Sequence, residues 1–452
     1  MGPRFRTLAG LAGLAILVGA CGTSGSTTAP TTAPTQPAAS EAGGSAAPTE
    51  APSLDTTPVT IKVWDYYGDA TPIKPALEGF KKEFPWITVD YQALDWDSMN
   101  EKFTAGLGAG EVPDMVTLDM TWVPTLAANG GLEDLAPMSE GQLNGKPIAD
   151  QYTKGAQDAM HFGDKLVVML YDFDTYALYY RDDLFQQKGI SVPTNWDELR
   201  AAAKQLAEAS KPGGKLDRYL TAIRPNTFHF SQFLFQDGGT ILNADNTQAA
   251  FNSEAGVNAV NIQKAIYDDG SGKYWPDANG DLPPVIKSGE VAMFNDGPYY
   301  MGLLKTAVPE QSGKWKVAIA PYSKQPGSYL GGTGLGIPVQ AEHKDAAWQL
   351  IQYLLRPEQQ IGVFTYAGAA PATTAALQSS ELTKADPYFG GQQPFKVFLD
   401  SMATSHPFPY VGAWTDIDTA ISEAMEKALL GKADVKTALD DAAAQTNKLL
   451  AK

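Results

Sequence analysis

Strand-period and helix-period stretches alternate along most of this chain, and that alternation limits its fold more than any other feature. Val59-Thr-Ile-Lys-Val-Trp64 alternates apolar and polar side chains in the period that lets a strand bury one face. Ile73, Leu77, Phe80 and Phe84 then recur at helical spacing, with Pro85 as the stop. Ile87-Thr-Val-Asp-Tyr91 predicts a second strand. Met99, Phe103 and Leu107 predict a helix capped by Asp97, and Asp114-Met-Val-Thr-Leu-Asp119 a third strand. Further on, Thr194 and Asp197 form a capping box ahead of Trp196, Leu199, Ala203 and Leu206. Val257, Val260 and Ile266 mark a helix that stops at Gly270, and Val291-Ala-Met-Phe294 a strand that breaks at Asp296-Gly-Pro298. Ile417, Ala420, Ile421, Ala424, Met425, Ala428 and Leu429 trace one apolar helix stripe. Strands alternating with helices predict parallel βαβ units covered on both faces, and the length from Pro58 onward suits two or three domains.

The first residues read differently. Arg4 and Arg6 precede an apolar run from Leu8 to Val18, shorter than the roughly 20 residues a spanning helix needs. That is the layout of a secretion signal. Val18-Gly19-Ala20-Cys21 resembles the lipobox of bacterial lipoproteins. The resemblance implies a signal peptide over residues 1–20 and acylation of Cys21, which becomes the new N-terminus. Cys21 is the only cysteine, so it has no disulfide or metal-binding partner. Residues 21–57 continue almost entirely as Thr, Ala, Pro, Ser and Gly, without aromatics. Such a segment cannot bury enough apolar surface to order itself, and is expected to be a tether with an end-to-end distance of about 30–40 Å. The expected location is extracytoplasmic, lipid-anchored to the cell membrane. A net charge of −17 argues against nucleic acid or anionic lipid as a partner.

The body after the tether resembles the extracellular solute-binding proteins of ABC importers, in the maltose-binding and sugar-binding branch. The resemblance rests on Gly106-Leu-Gly-Ala-Gly-Glu-Val-Pro-Asp-Met-Val116 with Asp119, Trp122 and Gly130-Gly-Leu-Glu-Asp-Leu135, and on Tyr171-Asp-Phe-Asp-Thr-Tyr-Ala-Leu-Tyr-Tyr180. Pro193-Thr-Asn-Trp-Asp-Glu-Leu199, Phe235-Gln-Asp-Gly-Gly239 and Gly289-Glu-Val-Ala-Met-Phe-Asn-Asp-Gly-Pro298 follow in family order. Leu330-Gly-Gly-Thr-Gly-Leu-Gly-Ile-Pro338, Ala346-Ala-Trp-Gln-Leu350 and Arg356-Pro-Glu358 complete the set. It implies an α/β, two-lobe periplasmic-binding-protein-like fold of the maltose-binding type, with a three-crossing hinge and a ligand cleft between the lobes. Lobe 1 would comprise 58–172 plus 330–374, and lobe 2 would comprise 173–329 plus 375–452. The implied function is a monomeric receptor that captures a sugar and delivers it to the permease, with no enzymatic activity, cofactor or metal.

Sugars present hydroxyls around a ring with apolar faces, so their sites combine aromatic platforms with carboxylates and amides. The resemblance places such contacts on Tyr66, Tyr67 and Asp69, on Asp119 and Trp122, and on Asp172 and Asp174 of a crossing strand. In the second lobe it places them on Asn226, Phe228, Tyr299 and Trp414. Phe228 departs from the hydroxyl-bearing aromatic of the maltose group, which weakens maltose as the ligand. Trp275 is expected to pack.

Other chemistries fit these residues less well. As glycosidase carboxylates, Asp172 and Asp174 would lie about 6.5–7 Å apart on one strand, with nothing placing them on either side of a bond. Gly331-Gly-Thr-Gly-Leu-Gly336 runs into strand residues Ile337-Pro338, whereas a phosphate loop opens a helix. Tyr299-Tyr300 could hold Fe(III), and aromatics with carboxylates could hold a polyamine. A non-sugar solute and a surface carbohydrate-active enzyme are therefore the alternatives.

Overall fold

The computed structural model describes residues 56–208, 219–275 and 282–451. The expected signal peptide, Cys21 and nearly all of the tether lie outside the described residues. No helix among the described residues is long and apolar enough to cross a membrane.

Two sheets organise the fold. The chain first lays down β1 (Val59–Asp65), β2 (Ile87–Ala93), β3 (Met115–Asp119) and β4 (Met169–Asp174). It then passes to a second sheet, built from β5 (Ala177–Arg181), β6 (Leu220–Ile223), β7 (Gly272–Tyr274), β8 (Val291–Asp296) and β9 (Trp315–Ala318). It returns to the first with β10 (Ser328–Gly336), β11 (Ala370–Pro371) and β12 (Ser405–Pro407). The first sheet runs β11-β4-β10-β3-β1-β2, with β12 beside β10, and the second runs β7-β6-β8-β5-β9. β1 is parallel to β2 and β3, as the helices between them require, whereas β10 is antiparallel to β3 and β4. The two sheets and their two cores make the two-lobe α/β architecture expected from the sequence.

Side-chain alternation explains the layering. Ile61, Val63 and Asp65 of β1 are fully buried while Lys62 between them is exposed. In β5, Ala177 and Tyr179 enter one core while Leu178 and Tyr180 enter the other, so this sheet is covered on both faces. The predicted stripe of the Trp414–Leu429 helix lies in that second core.

Two helix starts differ from expectation. Asp95 caps the Trp96–Ala109 helix by accepting from the Ser98 amide at 2.8 Å, and Asp97 sits inside the first turn. Asn195 caps the Trp196–Ala207 helix, accepting from the Glu198 amide at 2.9 Å, and the Glu198 carboxylate accepts from Thr194. In both, a comparable capping side chain one or two positions away takes the role, which local spacing alone did not distinguish. Pro85 acts as predicted: the helix ends at Glu83, because the residue before a proline avoids helical angles.

Candidate functional site

The carboxyl ends of β1 and β3 carry an aromatic wall. Tyr66 and Tyr67 leave β1 with rings stacked 5.2 Å apart, Tyr66 meets Trp122 edge-on at 5.6 Å, and Trp122 leans on Trp96 at 4.8 Å. Beneath them Asp65 ties three strand ends together. It accepts from the Tyr67 amide at 3.2 Å, Thr71 Oγ1 at 2.5 Å, Tyr91 Oη at 2.6 Å and Thr117 Oγ1 at 3.2 Å. Asp119 accepts from Trp96 Nε1 at 2.9 Å on one oxygen, and from the Thr121 amide and hydroxyl at 2.8 and 2.7 Å on the other. Its carboxylate thus holds the wall in shape. Asp69 is exposed in the turn after Tyr67 and does not join the group.

The crossing strand supplies the acceptors. Asp172 is 2% exposed, and its Oδ1 accepts from the Thr333 amide of β10 at 2.9 Å while its Oδ2 has no partner. Asp174 accepts from the Tyr329 hydroxyl on Oδ2, and its Oδ1 is likewise unpartnered. Thr333 also links this strand to the wall, because its Oγ1 hydrogen-bonds Tyr66 Oη at 2.5 Å and Tyr67 Oη at 2.8 Å. The strands pair closely enough here that a side chain at Gly332, whose φ is +147°, would place its Cβ 2.1 Å from the Asp172 carbonyl oxygen.

The second lobe contributes a buried ion pair. Arg224, just after β6, bonds Asp296 at the end of β8, and its guanidinium lies 4.2 Å from the Trp275 ring. Asp296 also accepts from the Gly297 amide at 2.8 Å and Tyr299 Oη at 2.5 Å. Asp296 lies close enough to Asp174 to oppose its ionisation. Phe228, Tyr329, Phe408 and Trp414 form an aromatic cluster, with Trp414 1% exposed, 4.9 Å from Phe408, and its Nε1 unpartnered. Asn226 caps the Thr227–Gln236 helix through the His229 amide. The lobes meet where Thr415 hydrogen-bonds Thr125 Oγ1, at 3.3 Å from its amide and 3.1 Å from its hydroxyl.

The structure therefore joins Tyr66, Tyr67 and Asp172 through Thr333, sets Asp119 and Trp122 on Trp96, and bonds Asp174 to Tyr329 and Tyr299 to Asp296. Phe228 and Trp414 reach them through Tyr329, Asn226 is spent on a helix cap, and Asp69 stands apart. Trp275 packs as expected. Tyr300, the partner in the possible iron pair, is 1% exposed between Phe294 and Tyr179, while Tyr299 bonds Asp296. Sequence reasoning missed Thr333, Tyr329, Arg224 and Trp96. The Gly-Gly-Thr-Gly run carried a signal for Thr333, since glycines around one hydroxyl residue imply close backbone approach.

Burial dominates the electrostatics. It pushes Asp172 up to about 7, and Asp65 and Asp418 up to about 6, with hydrogen bonds pulling the other way. Asp174 is raised well above the carboxylate range by burial, against the Tyr329 hydrogen bond and with added repulsion from Asp296, Asp172 and Asp119. These acids hold protons in the folded protein at pH values where the unfolded chain has released them. Their contribution to stability is complete below about pH 4 and is lost as pH rises through 6–7. The ligand-free protein should thus melt at a lower temperature at pH 8 than at pH 5, and Asp172→Asn should flatten that slope and raise the melting temperature at pH 8. Scanning calorimetry across pH checks both, and an unchanged slope in the variant would contradict the assignment to Asp172.

The chain is similar to known proteins over most of its length. The family described as bacterial extracellular solute-binding protein matches residues 65–361. The galactooligosaccharide-binding protein of Bacillus subtilis (strain 168) is 21% identical, covering 85% of this chain and 87% of its own. The maltooligosaccharide ABC transporter solute-binding lipoprotein of Streptococcus pneumoniae (strain ATCC BAA-255 / R6) is 21% identical, covering 87% and 89%. Among solved structures, an ABC transporter solute-binding protein of Thermotoga lettingae TMO bound with alpha-D-tagatose superposes with a TM-score of 0.77 at 23% identity, covering 86% of this chain and 99% of that one.

Proposed function

Because this chain belongs to the family of bacterial extracellular solute-binding proteins, in its maltose-binding-like, sugar-binding branch, we propose that it captures a mono- or oligosaccharide between its lobes and delivers it to an ABC permease. The observation that carries this is the pair of crossing-strand carboxylates. Asp172 and Asp174 each have one oxygen fixed by the protein and one unpartnered, beside a wall of Tyr66, Tyr67 and Trp122. An unpartnered buried acceptor is costly, and a ligand that brings a donor to it relieves that cost. Hydroxyls on a ring with apolar faces match both parts of the site.

In this reading lobe 1 comprises residues 58–172 plus 330–374 and lobe 2 comprises 173–329 plus 375–452. A ligand touching both lobes binds the closed arrangement best and shifts the hinge equilibrium toward it. The Thr125–Thr415 contact joins the two lobes in this reading. Cys21 carries the lipid, and the tether lets the closed body reach the permease while staying at the membrane. Mono-, di- and oligosaccharides named for relatives differ among themselves, so the identity of the sugar follows from this site alone.

A thermal-shift panel of sugars, polyols, polyamines and Fe(III) tests the reading. A sugar present at 100 times its Kd should add about 2.7 kcal/mol of stability. Stabilisation by polyamine or iron with no sugar response would overturn it, and turnover of a sugar would favour an enzyme. Asp172→Asn tests the site itself. The amide still accepts from the Thr333 amide but presents a donor where the unpartnered oxygen was, so sugar affinity should fall by about tenfold or more in titration calorimetry.

A further inference from the structure

We infer that the sugar taken by this cleft carries a protonated amine, seated between Asp172 and Asp174. This rests on the sugar-receptor reading and narrows it to amino sugars.

The balance of charges and donors carries the inference. Asp174 lies close enough to Asp296, Asp172 and Asp119 for all three to oppose its ionisation. Among the described residues the only cation bonded to any of them is Arg224, and it is committed to Asp296 and stacked on Trp275. The protein's own donors are committed as well. Trp96 and Thr121 serve Asp119, the Thr333 amide serves Asp172, Tyr329 serves Asp174, and Tyr299 serves Asp296. On the crossing strand what remains is acceptor, Asp172 Oδ2, on a side chain 2% exposed, and Asp174 Oδ1, whereas the unpartnered donors Arg224 Nε, Trp275 Nε1 and Trp414 Nε1 lie on other elements.

A neutral hydroxyl brings one donor and no charge, so Asp172 and Asp174 stay protonated beside it, as burial holds them in the ligand-free protein. An ammonium brings three donors and a positive charge, which favours the ionised form of both acids. The nearby rings of Tyr329 and Tyr176, in edge contact at 4.7 Å, add faces that favour a cation. The aromatic wall of Tyr66, Tyr67 and the buried Trp122 suits a sugar ring better than a flexible chain of methylenes.

The test is titration calorimetry on the secreted chain with three matched sets: glucosamine, galactosamine and mannosamine, each beside its neutral parent and its N-acetyl form, as monosaccharides and as β-1,4-linked disaccharides. Putrescine and spermidine are run alongside. The expected result is that one amine-bearing sugar binds at least tenfold tighter than both its neutral and its N-acetyl counterparts. Asp174→Asn should shrink that gap to less than threefold, whereas a general packing defect would weaken all three alike. Neutral sugar binding as tightly as the amine would overturn the inference and leave the sugar receptor standing. Spermidine binding more tightly than every sugar would overturn it too, and silence from all sugars would overturn both readings.

Discussion

Replacing Gly332 with alanine should cost this protein about 3 kcal/mol or more and abolish high-affinity ligand binding. The added Cβ would sit 2.1 Å from the Asp172 carbonyl oxygen and 2.9 Å from its carbonyl carbon. Those are backbone atoms of a paired strand, so neither rotamer change nor a flexible neighbour can make room. The φ of +147° adds strain for any residue with a side chain. The strands would have to part where Thr333 holds Asp172, at a cost at the upper end of overpacking effects. Gly108→Ala is the control: it lies in the Trp96–Ala109 helix with nothing near its would-be Cβ, and should stabilise by about 0.5–1 kcal/mol. Urea denaturation of the two variants compares them directly, and equal stabilities would contradict the close pairing of β4 and β10.

Removing the charge of Arg224 should be of similar size. Asp296 is fully buried, and Arg224 is its only ionic partner among the described residues. Arg224→Met would strand that carboxylate, a change that typically costs about 3–5 kcal/mol. Asp296→Asn in the same chain removes the stranded charge, so the double variant should recover a large part of the loss. The pair also positions the turn at Gly297 and Tyr299, and the single variant should lose ligand affinity beyond its loss of stability. A double-mutant cycle measured by denaturation reads the coupling, and additive effects would show that the pair is not a unit.

Much of the fold was legible in the chain because its signals are local. The period-two run at Val59–Trp64, the helical spacing from Ile73 to Phe84 and the stripe from Ile417 to Leu429 each depend on residues within a few positions of one another. The cap assignments slipped by one or two residues because Asp95 and Asn195 compete with neighbours of the same chemistry. The site was legible in part. Tyr66, Tyr67, Trp122, Asp172 and Asp174 stood out by residue type and by family resemblance. Their connections did not, because Thr333 is 161 positions from Asp172 and 267 from Tyr66. No local pattern reports that one hydroxyl joins two tyrosines to a crossing strand. Asp119 shows the converse: its place at a strand end was readable, but its commitment to Trp96 and Thr121 depends on packing. Likewise Asn226 had ligand-binding chemistry, and the helix beginning at Thr227 claimed its oxygen first.

The central claim is that the ligand lies between the lobes, on the unpartnered oxygens of Asp172 and Asp174. A crystal structure with the sugar that gives the largest thermal shift tests it most directly. The predicted result is a sugar ring against the Tyr66–Trp122 wall with a donor within hydrogen-bond distance of Asp172 Oδ2. Density for the sugar elsewhere, as in the groove lined by Trp64, Lys102, Glu111 and Glu342, with Asp172 Oδ2 left unpaired, would contradict it.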